Sequence, residues 1–182
     1  MSERKVGVVE LLQSDHQRVE VKLSDLDAMA DPSLAIYFCE LREELVRHEV
    51  AEETVVYPAV RQLQGGDKIA DSCIEEQSEA EELLADMEKV QDDVSKLRTE
   101  LGRLRSAVLK HAKHEESEVF PLLKGSLPEE DLVRLGQRYE KALAAAPTHP
   151  HPHAPDTPPG NLVAGPLAAL VDRARDAMKA AV

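Results

Sequence analysis

Length, composition and charge already exclude several classes of protein for this chain. Its 182 residues are 42% hydrophobic, enough for one buried core, and the 3% aromatic content favours helices over a sheet. A formal net charge of −13 argues against a surface for nucleic acid or anionic lipid, and no apolar run has membrane-spanning length. We therefore expect an all-α, cytoplasmic protein without a membrane role.

The first predicted helix runs from about residue 6 to about residue 30. Its apolar residues step by three and four along one face, and they are Val9, Leu12, Val19, Leu23, Leu26 and Ala30. His16 fills the one gap in that stripe. Asp31 and Pro32 then supply a helix stop and a new start, since Asp caps a helix and Pro is tolerated in its first turn.

The second predicted helix, from about residue 32 to about residue 63, carries the first copy of an internal repeat. His48 stands four residues before Glu52, and the pair Tyr57-Pro58 closes the segment. Residues four apart lie one above the other on the same helix face. Pro58 removes one backbone hydrogen bond, so a kink or an early end is expected there.

A Gly-Gly turn leads to the third predicted helix, from about residue 67 to about residue 91. Its position equivalent to His16 of the first helix holds Gln77. Glu81 lies one turn further along and can be aimed at the same space. Both residues are therefore candidates for the same place in the bundle core.

The fourth predicted helix, ending near residue 123, carries the second copy of the repeat. His111 stands four residues before Glu115, and Phe120-Pro121 closes the segment as Tyr57-Pro58 closes the first. A cap for the start of this helix is available from Asp92, Asp93 or Ser95.

Both copies of the repeat lie on apolar stripes, which places their His and Glu side chains in the core. A single buried His would be read as an ordinary core residue, but here a carboxylate is buried beside it twice. No Lys or Arg lies on either stripe to neutralise the carboxylates, and an unpaired buried carboxylate is too costly to keep. In an up-down bundle, residues equally far from a connecting turn lie level, and the level residues are His16, His48, Glu52, Gln77 and His111. A metal ion is the simplest partner for such a layer.

The layer describes a site for one or two first-row metal ions. Carboxylates bridge metals readily and imidazoles fill terminal positions, so a dinuclear iron centre fits better than a single zinc. The alternative is a bundle whose site has decayed at Gln77 and which acts as an interaction or structural protein through its C-terminal helix. The metal content of the purified protein separates the two hypotheses.

The paired motifs resemble the hemerythrin-like, or HHE cation-binding, family. That family has a His in helix one, His-x-x-x-Glu in helix two, a His in helix three and His-x-x-x-Glu in helix four. The resemblance covers residues 6 to 125 and implies an up-down-up-down antiparallel four-helix bundle. It implies that two non-haem irons are bridged by the two Glu and that the ligands are His16, His48, Glu52, His111 and Glu115.

Helix three departs from the family pattern, because Gln77 stands where the family has His. A neutral amide is a poor iron ligand, so Glu81 and His114 are further candidates, as ligands or as partners of the ligands. Anionic oxygen ligands favour the oxidised metal, and the layer holds fewer His than the oxygen-carrying hemerythrins. We expect a protein that senses, binds or consumes dioxygen, peroxide or nitric oxide, or holds iron. Peroxidase- or catalase-like turnover is left open.

Three segments are expected to follow the bundle, which spans residues 1 to 125. A fifth helix is predicted over residues 126 to 145, a stiff Pro/His-rich linker over 146 to 161, and an amphipathic helix over 162 to 182. The last helix is expected to dock on the bundle or on a partner subunit. The linker histidines are interpreted as solvated, with weak copper or zinc binding as the alternative, and they are His149, His151 and His153.

Overall fold

The computed structural model describes residues 6 to 155, residue 157 and residues 160 to 180. That part of the chain forms six helices and no strand, which confirms the predicted all-α fold. The helices are α1 (Val8–Ala28), α2 (Asp31–Ala51, continued by Glu52–Val56 and Tyr57–Arg61), α3 (Gly66–Val90), α4 (Val94–His114, continued by Glu115–Val119 and Phe120–Ser126), α5 (Glu129–Ala145) and α6 (Gly160–Ala180). None of the described helices is both long and apolar enough to cross a membrane.

Two of the three turns that join the bundle helices have the expected chemistry, whereas the first does not, because Ala30 rather than Asp31 is the N-cap residue of α2 and no side chain caps that helix. Gly65 takes a left-handed conformation with φ of 83°, which a residue with a side chain rarely adopts. The carboxylate of Asp93 accepts a hydrogen bond from the backbone N–H of Lys96 at 3.2 Å and so caps α4. Helix α3 packs along α4, while α1 packs against both α2 and α4. Helix α5 lies against α1 and α2 and covers that side of the bundle.

The core consists of two apolar clusters with a polar layer between them. On α1, His16 separates Leu12 of one cluster from Val19 of the other. On α3, Gln77 separates Cys73 from Ala80 in the same way. The repeats of α2 and α4 behave likewise, because their His and Glu stand between residues of the two clusters. The polar layer is therefore enclosed by apolar packing above and below it along the bundle axis.

Both copies of the repeat contain a single π-helical turn that begins at the carboxylate residue of the repeat. The turns are Glu52–Val56 and Glu115–Val119, and each comes just before the Pro of its repeat. A Pro has no N–H to donate, and widening the helix by one residue accommodates that loss without ending the helix. The chain therefore passes Pro58 in a continuous helix, where a kink or an end was expected.

The segment after α5 is attached to the bundle. His149 is only 1% exposed, and its ring lies against the carboxylates of Glu88 and Asp176. The buried carboxylate of Asp172 accepts hydrogen bonds from the backbone N–H groups of Thr148 and His149 at 2.9 and 3.0 Å. The prediction of a solvated residue is therefore wrong for His149, because α3 and α6 both supply it with acidic partners.

The other linker histidines differ from His149. His151 lies 3.2 Å from Asp172 and is partly exposed, whereas His153 is exposed. Helix α6 contacts the bundle near Glu53, whose carbonyl oxygen accepts from Asn161 Nδ2 at 3.4 Å. Some ends of the predicted segments lie outside the described residues, namely residues 1 to 5, 156, 158, 159, 181 and 182.

Candidate metal centre

The polar layer brings four ligand-type side chains from three helices together. The nearest nitrogen or oxygen atoms of these side chains all lie within 4.8 Å of one another, and the residues are His16, His48, Glu52 and Glu115. All four are buried. Across the residues that the structure describes, no other group of three or more His, Cys, Asp or Glu converges in this way.

The imidazoles point their Nε2 atoms at the carboxylates. His16 Nε2 lies 3.2 Å from Glu115 Oε2, and His48 Nε2 lies 3.2 Å from Glu52 Oε1. His111 faces the same layer from α4, with its Nε2 at 3.6 Å from Glu115 Oε2 and 4.0 Å from Glu52 Oε2. The structure thus brings together all five residues that the family resemblance implies as ligands.

Several atoms at the centre of the layer have unused bonding capacity. His16 Nε2, Glu52 Oε1 and Glu115 Oε2 are buried without a well-aligned hydrogen bond among the described residues, although each lies 3.2 Å from another ligand-type atom of the layer. Buried polar atoms are nearly always hydrogen-bonded, so three such atoms converging on one place require a common explanation. Imidazole nitrogen and carboxylate oxygen are ordinary ligands of first-row metals. The residues therefore fit a metal ion.

The pKa shifts in the layer indicate that it lacks positive charge when no metal is bound. Burial raises the pKa of Glu52 well above its usual range, and the charge of Glu115 adds to that rise. Burial opposes ionisation of Glu115 as well, but His111 and His16 hold the pKa of that carboxyl below its usual value. Although burial disfavours its charged form, the nearby carboxylates of Glu115 and Glu52 raise the pKa of His16 to about 9. Without a metal, the protons that His16 and Glu52 retain above their ordinary pKa values offset the negative charge of the layer.

Each of the three imidazoles is also held at its outer nitrogen. His16 Nδ1 lies 3.1 Å from a carboxylate oxygen of Glu116. His111 Nδ1 lies 3.4 Å from Glu76 Oε2. Partners at this position commonly orient metal-binding His residues and set their tautomer.

The partner of His48 comes from α5. Tyr139 OH lies 2.7 Å from His48 Nδ1 and donates its own proton to Asp15 Oδ2 at 2.8 Å. The phenol oxygen must therefore accept from Nδ1–H, which leaves the lone pair of His48 Nε2 facing Glu52. Burial lowers the pKa of His48, which favours this neutral form. Sequence reasoning missed Asp15 and Tyr139, and the signal available was a Tyr on an amphipathic helix whose buried hydroxyl needs a partner.

The aromatic residues that close the repeats also contact the layer. Tyr57 OH donates to Glu115 Oε1 at 2.9 Å. Phe120 stacks on the ring of His16, with the ring centroids 5.5 Å apart. The aromatic-Pro pairs marked both residues in the sequence, but spacing alone did not show which side chains they would contact.

The three uncertain candidates from the sequence lie in different places. Gln77 is buried in the layer, and its Nε2 donates to Glu52 Oε2 at 2.6 Å. Glu81 is directed toward the C-terminal segment, where its Oε1 accepts from the backbone N–H of His151 at 2.8 Å. His114 Nδ1 lies 3.0 Å from Glu76 Oε2, outside the converging group. The structure thus brings Gln77 to the ligand-type residues, but not Glu81 or His114.

A small cavity of about 20 Å³ adjoins the layer. Three imidazoles and the carboxyl of Glu49 form its polar wall, and the remaining wall consists largely of apolar side chains from α1 to α4, namely Val19, Leu45, Ala80, Val108, Leu109 and Ala112. Its volume is about what one water-sized molecule needs. Burial and the charge of Glu81 hold the pKa of the Glu49 carboxyl well above its usual range.

A second, larger opening reaches the layer from the surface. This groove of about 610 Å³ runs between α1, α2 and α5. Its lining is mostly charged, with Arg18 and Glu44 on its sides, and it reaches Asp15 and His48. The groove therefore leads from solvent to the His48 edge of the layer.

Comparisons with known proteins agree with this geometry. The family model described as the hemerythrin HHE cation binding domain matches residues 7–123. An uncharacterized hemerythrin-like protein of Schizosaccharomyces pombe is 29% identical over 182 residues, which is 98% of this chain and 90% of that protein. A DNA nickase of Nostoc is 27% identical over 139 residues, which is 75% of this chain but 39% of that protein. No solved structure gave a significant match.

Proposed function

The chain belongs to the hemerythrin HHE cation-binding family, and we propose that it binds non-haem iron in the polar layer. The observation that carries this proposal is the convergence of buried imidazole nitrogen and carboxylate oxygen atoms from His16, His48, Glu52 and Glu115, all within 4.8 Å of one another. Two carboxylates with imidazoles suit iron, whereas structural zinc sites are usually rich in Cys. Glu52 and Glu115 face His residues of three helices, so they would supply the anionic ligands for bound iron.

The ligand that we propose is a molecule of two or three atoms, such as dioxygen, peroxide or nitric oxide. The cavity beside the layer is about the size of one small molecule, and three imidazoles lie in its wall. Iron, when bound, supplies a redox-active centre with room for such a ligand. The apolar wall restricts water, while Tyr57 and Tyr139 hold Glu115 and His48 in place by hydrogen bonds. Sensing, consumption of the ligand and holding of iron are all compatible with this arrangement.

We do not propose that this chain binds DNA. The nickase resemblance covers 39% of that protein, and the present chain carries a net charge of −13, which opposes binding to a polyanion.

We also propose a cytoplasmic location, because the two cysteines, Cys39 and Cys73, are unpaired, as is usual in a reducing compartment.

Anaerobic reconstitution with ferrous iron tests the proposed function. We expect the wild-type protein to retain iron through desalting and to form an iron-nitrosyl EPR signal with nitric oxide. The double variant His16→Leu with His48→Leu should retain much less iron, whereas Glu20→Gln, an exposed change one turn from His16, should behave like wild type. A wild-type protein without iron would instead favour an interaction protein acting through α6, on whose surface Leu170 and Val171 are exposed.

Removing the hydroxyl of Tyr139 should weaken metal binding without unfolding the bundle. In Tyr139→Phe the ring packing stays, but His48 Nδ1 loses its partner at 2.7 Å. Loss of such an outer partner typically lowers metal affinity about 10- to 100-fold. Competition with a chromophoric chelator measures the change, and Tyr37→Phe, a half-exposed tyrosine on α2, is the matched control. Equal affinities for the two variants would contradict the role of Tyr139.

A further inference from the structure

The two halves of the polar layer differ in the neighbours of their imidazoles. On one side, His16 and His48 face Glu115 and Glu52 directly, and these four residues form the converging group. On the other side, His111 lies outside that group and is approached by the side chain of Gln77. The two sides of the layer therefore differ, although each copy of the repeat supplies one His and one Glu.

The amide of Gln77 lies between the atoms that a second metal ion would need. Its Nε2 donates to Glu52 Oε2 at 2.6 Å and lies 3.4 Å from His111 Nε2. An amide NH₂ group has two hydrogens, so one can go to the carboxylate while the other faces His111 Nε2. Glu52 Oε2 accepts from the amide N–H, so the amide nitrogen rather than its oxygen lies beside the carboxyl. Gln77 is 1% exposed, so water does not compete for these bonds.

We propose that the layer holds one tightly bound metal ion, between His16, His48, Glu52 and Glu115, and that the amide of Gln77 occupies the position beside His111 that a second ion would take. The inference rests on the proposed function, since it concerns how many ions the same layer binds. It departs from the two bridged irons that the family resemblance implies. The reason is the single His-to-Gln difference in α3.

Binding a second ion requires the amide to turn. The turn would break the hydrogen bond to Glu52 and would bring Gln77 Oε1, which has no hydrogen-bond partner among the described residues, toward the ion. As a metal ligand, the uncharged amide oxygen is weaker than an imidazole, so it would offset less of the free energy lost with the hydrogen bond. Hydrogen bonds to charged groups correspond to roughly 10- to 100-fold in an equilibrium constant, so the second ion should bind weaker than the first by at least about tenfold.

Stoichiometry and EPR of the manganese-loaded protein test this inference. Mn(II) avoids oxidation, and its EPR spectrum separates an isolated ion from a spin-coupled pair. We expect about one tight Mn(II) per wild-type chain, with the spectrum of an isolated ion, when free Mn(II) is set by a competing chelator. Gln77→His should tighten the second ion by at least about tenfold and produce the spectrum of a coupled pair. Gln77→Glu should do the same, which covers a failure of the His variant to fold.

The control is Glu81→Gln, a change one turn along α3 at a residue directed toward His151. It should leave the wild-type stoichiometry unchanged. Two ions of equal affinity in the wild type would overturn the inference while supporting the proposed function. An unchanged second affinity in both folded Gln77 variants would also overturn it. A wild-type chain that binds neither Mn(II) nor Fe(II) would instead overturn the proposed function itself.

Discussion

Loading with ferrous iron should raise the melting temperature of the protein by roughly 10 °C, and the difference should widen as the pH rises. A ligand that binds only the folded state at about 1,000 times its dissociation constant stabilises that state by about 4 kcal/mol. For a chain of this size, that corresponds to roughly 8–16 °C. Differential scanning calorimetry under anaerobic conditions measures the shift, and removal of the iron with a chelator should reverse it.

The pH dependence follows from the protons that the metal-free layer retains. The folded protein holds a proton on Glu52 above the ordinary pKa of 4.5, and one on His16 from the ordinary value of 6.5 up to about 9. Stability from a raised pKa is complete below the ordinary value and is lost as the pH rises through the raised value. The lowered pKa of Glu115 acts in the opposite direction, and its contribution is lost only on acidification below 4.5.

The metal-free protein should therefore melt at lower temperature at about pH 8 than at about pH 6. In the loaded protein the positive charge of the ion replaces those protons, so its melting temperature should depend less on pH. Calorimetry at both pH values, with and without iron, gives the four temperatures. If the difference in melting temperature between the loaded and the metal-free protein stays constant or narrows toward pH 8, the ion does not displace protons from this layer.

Replacing Glu115 by Gln should abolish tight metal binding. Glu115 is fully buried, and its oxygens lie near the Nε2 atoms of His16 and His111 and accept from Tyr57 OH. Gln keeps the volume but removes the negative charge. The expected loss of affinity exceeds the roughly 10- to 100-fold that follows the loss of an outer partner. Metal analysis after desalting and chelator competition measure it.

The metal-free Glu115→Gln protein should nevertheless fold. Burial keeps the pKa of Glu52 raised, but removing the charge of Glu115 lowers that pKa, so Glu52 can take over the negative charge opposite His16. The matched control is Glu116→Gln, the next residue, whose half-exposed carboxylate lies against the outer nitrogen of His16. That control should lose no more metal affinity than the roughly 10- to 100-fold that follows the loss of an outer partner. Full metal retention by folded Glu115→Gln would exclude Glu115 as a ligand.

The helices and the layer were predictable because both depend on local rules. Apolar residues at steps of three and four defined the four bundle helices, and Gly65 and Asp93 act at the turns as their chemistry requires. The level of a residue in an up-down bundle depends only on its distance from the turn. For that reason the sequence placed His16, His48 and His111 at one height, and the structure brings them together.

The orientation of neighbouring candidates was not predictable from spacing. Gln77 and Glu81 are four residues apart and share a helix face, so helix periodicity predicts the same orientation for both side chains. The structure separates them, because His151 of the C-terminal segment binds Glu81 while Glu52 binds Gln77. The π-helical turns are a similar case. The Pro residues predicted a lost hydrogen bond, but spacing did not predict the π-helical turns through which the helices continue.

By itself, the sequence determined the all-α class, the repeat and the polar layer, because helix periodicity and turn chemistry act over a few residues. Only the tertiary structure decided which groups complete that layer. Tyr139 reaches His48 from a helix 91 positions away in the chain, and His149 reaches Glu88 across 61. Contacts over such separations arise when whole helices dock, and no local pattern records the partner that a buried hydroxyl or imidazole will find.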